Sequence, residues 1–329
     1  MISPHGVGLV ARQEVRARLR TGRWKALLAT WLVAVNGLAL LFRLSLEQGF
    51  SRNDAPAQMF GGVLLLVLVM TLLVTPALTA QSINGDRERG TLAALQITRL
   101  SPADIAVGKL AAAWGTGLLV LALTLPCVML PVLEGGVGVG RAVVSLAVVA
   151  LLIGVVCALA QAWSALVTRS ITSVLLSYLT VFVLLVGTPV LFGLGVALTS
   201  EQVERGDHAY QRERPDRVWW LLAPNPVVVL ADAAPDVRPR LETITRYGPD
   251  GRPYTDVIEV RSRTDMLGGI GRVVRDTRER KLPGPDEPGG PVWPYGLAFN
   301  VLLAGGALWT TVRRLRTPVR TLPSGVRLA

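Results

Sequence analysis

The stretch DRERGTLAALQITRLSPADIAVGK, residues 86–109, carries charges of both signs between two long apolar runs. Its middle, 92–97, has helical spacing. Ser101-Pro102 is typical of a helix start, because serine caps helix N-termini and proline fits the first turn. The pattern predicts a short amphipathic helix, a break after it, and a new helix that enters a membrane beyond Lys109.

The chemistry that this stretch offers is docking rather than catalysis. Charged side chains beside a helix of apolar ones form a surface that another protein can contact by ion pairs and by packing. The predicted contact residues of this loop, 86–105, are Arg87, Glu88, Arg89, Gly90, Thr91, Leu92, Leu95, Ile97, Ser101 and Pro102. The alternative is a solvated polar loop of mixed charge.

Residue types for other chemistry are sparse. The two histidines, His5 and His208, lie outside the apolar runs, and the two cysteines, Cys127 and Cys157, lie inside them without metal-ligand spacing. No GxxxxGK[ST] run occurs, so the chain is expected to bind no ATP and no other cofactor itself. Any work that it does is expected to be driven by another chain.

The composition is that of a membrane protein. The chain is 51% hydrophobic and only 17% charged, with a mean hydropathy of +0.46, whereas soluble domains carry roughly 25% charged residues. Six uncharged runs are long enough to cross a bilayer. They cover 26–42, 55–85, 110–133, 142–168, 170–200 and 288–312. The sequence therefore predicts an all-α polytopic membrane protein with six transmembrane helices.

No Asp, Glu, Lys, Arg or His interrupts these runs. Ionisable groups inside membrane segments usually mark ion or proton coupling, so the sequence argues against a transporter that is driven by an ion gradient. The polar side chains that are candidates to line a substrate path are Thr71, Thr75, Gln81, Gln161, Ser177, Tyr178 and Asn300. The alternative for each of them is a hydrogen bond between helices.

Most of the net charge of +11 lies at the two ends of the chain. Basic residues that flank spans mark the cytoplasmic side, so both termini are expected in the cytoplasm and the chain in the cell membrane. This placement explains the basic chain without a nucleic-acid partner. Residues 6–23 have apolar positions at near-helical spacing with arginines between them, which predicts a helix on the inner membrane surface. The alternative is a disordered basic tail.

Residues 201–287 form the one polar region and hold 31 of the 57 charged side chains. Six alternating spans place this region outside the cytoplasm. It separates the first five spans, within residues 1–200, from a last span and basic tail in residues 288–329. Strand-like segments at 241–247 and 254–262 flank a turn rich in Gly and Pro, which predicts a small β-hairpin.

An apolar segment, residues 217–234, interrupts this polar region. Two prolines break it and it is too short to span, so we expect it at the outer interface, with Trp219 and Trp220 as anchors. If it did span, everything after it would be inverted.

The order of these features resembles that of ABC-2 type transporter permeases, the membrane subunits of ABC exporters. Those proteins carry a Glu-Arg-Gly-Thr-Leu-like run between their second and third spans, then Ser-Pro, then Gly-Lys at the next membrane entry. This chain has Glu88 to Leu92, Ser101-Pro102 and Gly108-Lys109 at these places. The resemblance covers nearly the whole chain, except that the polar region before the last span is much longer than in many relatives.

The resemblance implies a permease with an N-terminal elbow helix and a coupling helix in the 86–105 loop. The implied partners are a cytoplasmic P-loop ATPase subunit, a second permease copy or paired relative, and the lipid bilayer. The chain is then expected to form the substrate pathway of an exporter without catalytic activity of its own. An alternative from another class is a membrane scaffold or sensor that acts through residues 201–287.

Overall fold

The chain folds as a bundle of long helices. The computed structural model describes residues 3–19, 22–49, 55–91, 100–205, 208–237, 240–247, 253–260, 265–279 and 290–316. Within these ranges six helical segments are long and apolar enough to cross a membrane. They are Trp24–Leu46, Ala55–Glu88, Pro102–Ala122, Val139–Leu166, Ser170–Leu198 and Trp293–Leu315. The predicted class, a multi-pass helical membrane protein, is confirmed at this level.

The helices are numbered in chain order. They are α1 (Pro4–Leu19), α2 (Gly22–Gly49), α3 (Ala55–Thr79), α4 (Asn84–Glu88), α5 (Pro102–Ala122), α6 (Leu125–Leu133), α7 (Val139–Leu166), α8 (Ser170–Phe182), α9 (Thr188–Leu198), α10 (Pro226–Ala233), α11 (Met266–Glu279) and α12 (Trp293–Leu315). A π-turn, Val183–Gly187, joins α8 to α9, so the three together form the fifth span. The third span consists of α5 and α6.

Within the part of the chain that the structure describes, four strands form two separate antiparallel hairpins. β1 (Glu201–Arg205) pairs with β2 (His208–Arg212), and β3 (Arg240–Tyr247) pairs with β4 (Pro253–Val260). The second pair occupies the segments where the sequence predicts a hairpin. The first pair and helix α11 were not predicted.

Local sequence explains where the third span begins and breaks. Ser101 caps α5 as predicted: its Oγ accepts the N–H of Asp104 at 3.1 Å, while the Asp104 carboxylate accepts the N–H of Ser101 at 3.0 Å. A break lies near Pro126, since α5 ends at Ala122 and α6 begins just before the proline. Proline has no N–H to continue the hydrogen-bond ladder of α5.

Helix α7 lies at the centre of the bundle and packs against α3, α5, α8 and α12. Phe60, Leu64, Leu68 and Leu72 of α3 recur every four residues and are fully buried, so one stripe of α3 faces the interior. Helices α2, α8 and α9 keep many apolar side chains exposed, among them Val33 and Ile171. This is the surface expected for helices that face lipid.

The two ends of the bundle differ in composition. One end, called the basic end here, holds the start of α1, α4, the turn before α8 and the last turn of α12. The other, called the loop end, holds both hairpins, α10 and α11. Arg43 and Glu134 form an ion pair of 2.6 Å at the loop end, which places the end of α2 beside the end of α6.

Helix α1 runs alongside α5 in the same direction. The contacts advance together along both helices: Gly6 lies beside Asp104, Val10 beside Gly108, and Arg18 donates to Thr116 Oγ1 at 3.3 Å. Of the apolar positions that predicted a surface helix, Val10 is buried against α5, whereas Leu9 and Val15 are exposed.

The apolar segment 217–234, which includes α10, lies deeper in the bundle than the predicted interfacial position. Val229 and Leu230 of α10 are completely buried in the main core of the bundle, and only Trp220 of the two predicted anchors is largely exposed. The reason is the Asn225-Pro226 start of α10. Asn225 caps the helix, and its side-chain amide also donates to the Leu185 carbonyl of the π-turn at 3.0 Å, so the segment is drawn into the bundle.

Candidate functional site

The candidate site is a buried charge cluster at the basic end, called the Lys109 cluster and formed by Glu14, Asp86, Arg89 and Lys109. Lys109 Nζ lies 2.5 Å from Asp86 Oδ2 and donates to Glu14 Oε2 at 3.1 Å. Arg89 donates to Asp86 Oδ1 at 3.1 Å. The Lys109 side chain is 2% exposed and that of Asp86 12%, so this pair is largely removed from solvent, whereas the Arg89 side chain is 67% exposed.

The cluster joins three separate elements. Glu14 belongs to α1, Asp86 to α4 at the end of the second span, and Lys109 to α5 at the start of the third. Removing one partner of a buried ion pair leaves an uncompensated charge, which is strongly unfavourable. The three elements are therefore expected to move as one body.

Two further contacts join the loop after the second span to the turn between the fourth and fifth. Ser170 Oγ donates to Glu88 Oε1 at 2.6 Å, and Arg87 donates to the Val167 carbonyl at 3.2 Å. Ser164 Oγ accepts the backbone N–H groups of Ile83 and Asn84 at 3.1 and 3.0 Å. The first residues of the 86–105 loop thus contact spans two to five.

The predicted docking residues fall into two groups. Arg87, Glu88 and Arg89 are held as described, and Thr91 Oγ1 donates to Asp86 Oδ1 at 3.2 Å. Gly90 has φ of 72°, a left-handed conformation that glycine adopts without strain, and it ends α4. Ser101 and Pro102 start α5. Leu92, Leu95 and Ile97, and with them the predicted coupling helix, lie outside the described residues.

The polar residues predicted as path-lining candidates are placed as follows. Thr71, Thr75 and Ser177 donate to carbonyl groups of their own helices, Gln161 donates to the Ala106 carbonyl, and Asn300 donates to the Pro224 and Gly296 carbonyls. Gln81 is exposed, and Tyr178 is half-buried. The bond of Gln161 to α5 fits the alternative of hydrogen bonds between helices, whereas those of Thr71, Thr75 and Ser177 lie within one helix. The pathway assignment stays a prediction.

Sequence reasoning missed the Lys109 cluster. One uncharged run ends at residue 85 and the next begins at residue 110, so Asp86 and Lys109 flank them. This position predicts that both side chains lie at the ends of a polar loop. Both side chains are instead buried together. A signal was present, because Lys109 lies two turns inside the helix that Ser101-Pro102 begins.

The charged groups of the Lys109 cluster are paired with one another. Among the described residues no group of three or more His, Cys, Asp and Glu side chains is placed to hold a metal ion. Lys109 and its partners fix the positions of helices relative to each other, as buried ion pairs do elsewhere.

The close approach of α1 to α5 gives a first prediction. A Cβ on Gly108 would lie 2.7 Å from the Val10 Cβ and 2.9 Å from the Val7 carbonyl oxygen. We expect Gly108→Ala to lower the free energy of unfolding by about 1–3 kcal/mol and to expose α1 to protease, because overpacking forces helices apart. The control is Gly115→Ala in the same helix, whose Cβ would meet no atom within 4 Å. Equal thermal stability of the two variants in detergent would contradict this docking of α1.

Comparison with known proteins assigns no family to the chain: no family model matches it, and no curated protein matches it.

Proposed function

We propose that the chain is the membrane-spanning permease subunit of an ABC-2 type exporter, driven by a separate cytoplasmic P-loop ATPase subunit. The observation that carries the proposal is the Lys109 cluster, which ties α1 and the 86–105 loop to the spans on either side of that loop. A partner that moves this loop would therefore move α1 and spans two and three together.

The contacts of Arg87 and Glu88 extend this connection to the fourth and fifth spans. A partner shifts a two-state element to the extent that it interacts differently with the two states, and packed elements transmit the change by moving together. Five elements that meet at one loop supply such a packed joint. This arrangement supports coupling to a partner better than it supports a solvated loop.

The orientation in the proposal follows from charge. Arg313, Arg314 and Arg316 close the last span at the basic end, where Arg87, Arg89 and Lys109 also lie. Basic residues beside spans mark the cytoplasmic face, so we place this end and both termini in the cytoplasm and the protein in the cell membrane. The ATPase subunit then docks at the basic end, binds ATP and Mg²⁺, and the hairpins lie outside.

A pair of permease subunits, two copies of this chain or this chain and a relative, completes the proposed exporter. The substrate pathway would form within that dimer, and lipid would cover the remaining apolar faces of α2, α8 and α9.

The test is purification of the tagged chain in mild detergent from its native host, followed by mass spectrometry and an ATPase assay. We expect a stoichiometric P-loop ATPase whose association is lost in the double variant Glu88→Ala, Leu92→Asp. The matched control is Glu134→Ala, Leu133→Asp, which makes the same changes at the loop end. A chain that purifies alone and without ATP hydrolysis, or a control that loses the ATPase equally, would overturn the proposal.

A second candidate function is a scaffold or sensor, and the β3–β4 hairpin favours it. Each strand has eight residues, and Val257, near the centre of β4, is largely exposed. Two-stranded hairpins are marginally stable alone and gain from a partner. The same purification separates the two functions: a scaffold would retain a partner that is lost on replacing residues 240–260 by a short linker, with no ATPase present.

A further inference from the structure

Two helices at the loop end form a unit that we call the cap, consisting of α10 and α11. α10 packs against α7, α12 and the π-turn, and α11 crosses α10 and reaches α3. The crossing is close, because a Cβ on Gly271 of α11 would lie 2.9 Å from the Ala231 carbonyl oxygen of α10. The cap therefore covers the ends of several spans at once.

The first attachment of the cap is an ion pair between Arg141 and Asp265. Arg141 lies in the first turn of α7, and Asp265 directly precedes α11. One guanidinium nitrogen of Arg141 donates to both carboxylate oxygens at 2.8 Å, and another donates to the Pro235 carbonyl at 2.7 Å. Both side chains are 3% exposed.

The second attachment centres on Asp232 of α10. Its carboxylate pairs with Arg275 of α11 and also accepts the backbone N–H groups of Val292 and Trp293 at 2.6 Å each. These N–H groups belong to the start of α12, so Asp232 satisfies donors that a helix N-terminus leaves free. One carboxylate thus joins both cap helices to the last span.

Buried polar atoms near the first attachment lack partners. Ser145 lies one turn along α7 from Arg141 and is completely buried. Within the described residues, Ser145 Oγ, Arg141 Nε and, near the start of α3, Gln58 Oε1 have no hydrogen-bond partner. Leaving such groups unpaired when buried is unfavourable, and contact with water would satisfy them. Opening of the cap would bring these groups into contact with water.

We propose that the cap is a closure that opens by breaking the Arg141–Asp265 and Asp232–Arg275 pairs, and that opening exposes Ser145 and Gln58 to water. The inference rests on the proposed function for its role, which is to admit substrate to the exit at the loop end. Ion pairs suit a reversible closure, because both partners regain hydration when they separate.

The test measures access of water-soluble reagent to position 145. Ser145→Cys is placed in a background with Cys127 and Cys157 replaced by alanine, purified in detergent, and treated with a charged maleimide. Asp265→Asn, and separately Arg275→Gln, are expected to raise the labelling rate at least tenfold. The matched control is Asp256→Asn, which removes a carboxylate from the Arg246–Asp256 pair of the β3–β4 hairpin and should leave the rate unchanged.

A disulfide tests whether movement of α11 is required. A Cβ on Gly61 would lie 3.4 Å from the Met266 Cβ, close to the separation found in disulfides. We expect oxidised Gly61→Cys, Met266→Cys to bring labelling at position 145 in the Asp265→Asn variant back to the slow rate, read on the peptide that contains residue 145. Reduction should restore fast labelling.

Slow labelling in both Asp265→Asn and Arg275→Gln, with monodisperse protein, would overturn the proposal, as would fast labelling in the oxidised disulfide variant. Two attachments are probed so that a folding failure of one variant leaves the other decisive. The measurement requires no ATPase and no substrate. A chain without an ATPase partner would thus overturn the proposed function and leave the closure standing. Slow labelling of a chain that does bind an ATPase would overturn the closure and leave the proposed function standing.

Discussion

Replacing Lys109 with methionine is expected to lower the free energy of unfolding by about 3–5 kcal/mol, the cost of stranding one side of a buried ion pair. Lys109 is buried and pairs with Asp86 and Glu14, so its loss leaves two carboxylates near each other with only Arg89 and Arg18 as their cationic partners. We expect α1 and the end of the second span to detach from α5. Thermal unfolding of the purified variant in detergent measures the effect.

The matched control is Lys25→Met, because this substitution makes the same chemical change at an exposed position on α2. A second variant, Lys109→Met with Asp86→Asn, removes both charges of the shortest pair. We expect it to recover part of the loss, since residues in contact give non-additive effects. Equal stability of Lys109→Met and Lys25→Met would show that the cluster does not hold these elements together.

The same variants bear on coupling. If the ATPase partner is present, Asp86→Asn should leave it bound, because Glu88 still contacts Ser170, but should weaken the link between loop and third span. ATP hydrolysis would then continue while transport falls. Loss of both activities together would instead indicate a general folding defect.

Local sequence was enough to predict the spans and the start of α5. A long apolar run without charged residues predicts a bilayer helix, because the bilayer interior has no water to hydrate a charge. The Ser101 cap needs only residues within one turn, and the structure contains the complete reciprocal bond with Asp104. These features depend on neighbours in the chain, so a single sequence reveals them.

The features that the sequence did not predict depend on distant partners. Lys109 is buried because Glu14 and Asp86, 95 and 23 residues away, arrive at the same place. The π-turn in the fifth span coincides with the amide of Asn225, which bonds to the Leu185 carbonyl there. No local sequence pattern predicts either contact.

Helix α11 was overlooked for a related reason. Its buried positions, Leu267, Gly271 and Val274, have helical spacing, but arginines and glycines between them give the segment the composition of a polar loop. Its burial depends on α10, which is itself held by Asp232 and Asn225. The burial of each cap helix therefore depends on its contacts with the other elements.

Gly296→Ala is expected to have the largest effect of any single methyl group added at the loop end. A Cβ there would lie 1.9 Å from the Ala223 carbonyl oxygen and 2.6 Å from the Val229 Cγ2, so α12 must move away from the turn that precedes α10. Overpacking alone costs about 1–3 kcal/mol. The movement also breaks the bond from Asn300 to the Pro224 carbonyl, worth about 1 kcal/mol.

The measurement is the thermal stability of Gly296→Ala against Gly305→Ala in detergent. Gly305 belongs to the same helix, and its Cβ would meet no atom within 4 Å, so that variant should be as stable as the parent or slightly more so, because alanine favours helix over glycine. If Gly296→Ala matched it, the turn before α10 would not press on the last span. The attachment of Asp232 to the start of α12 would then be the main contact between the cap and the last span. A large gap between the two variants would instead establish that the last span and the cap are packed at backbone contact.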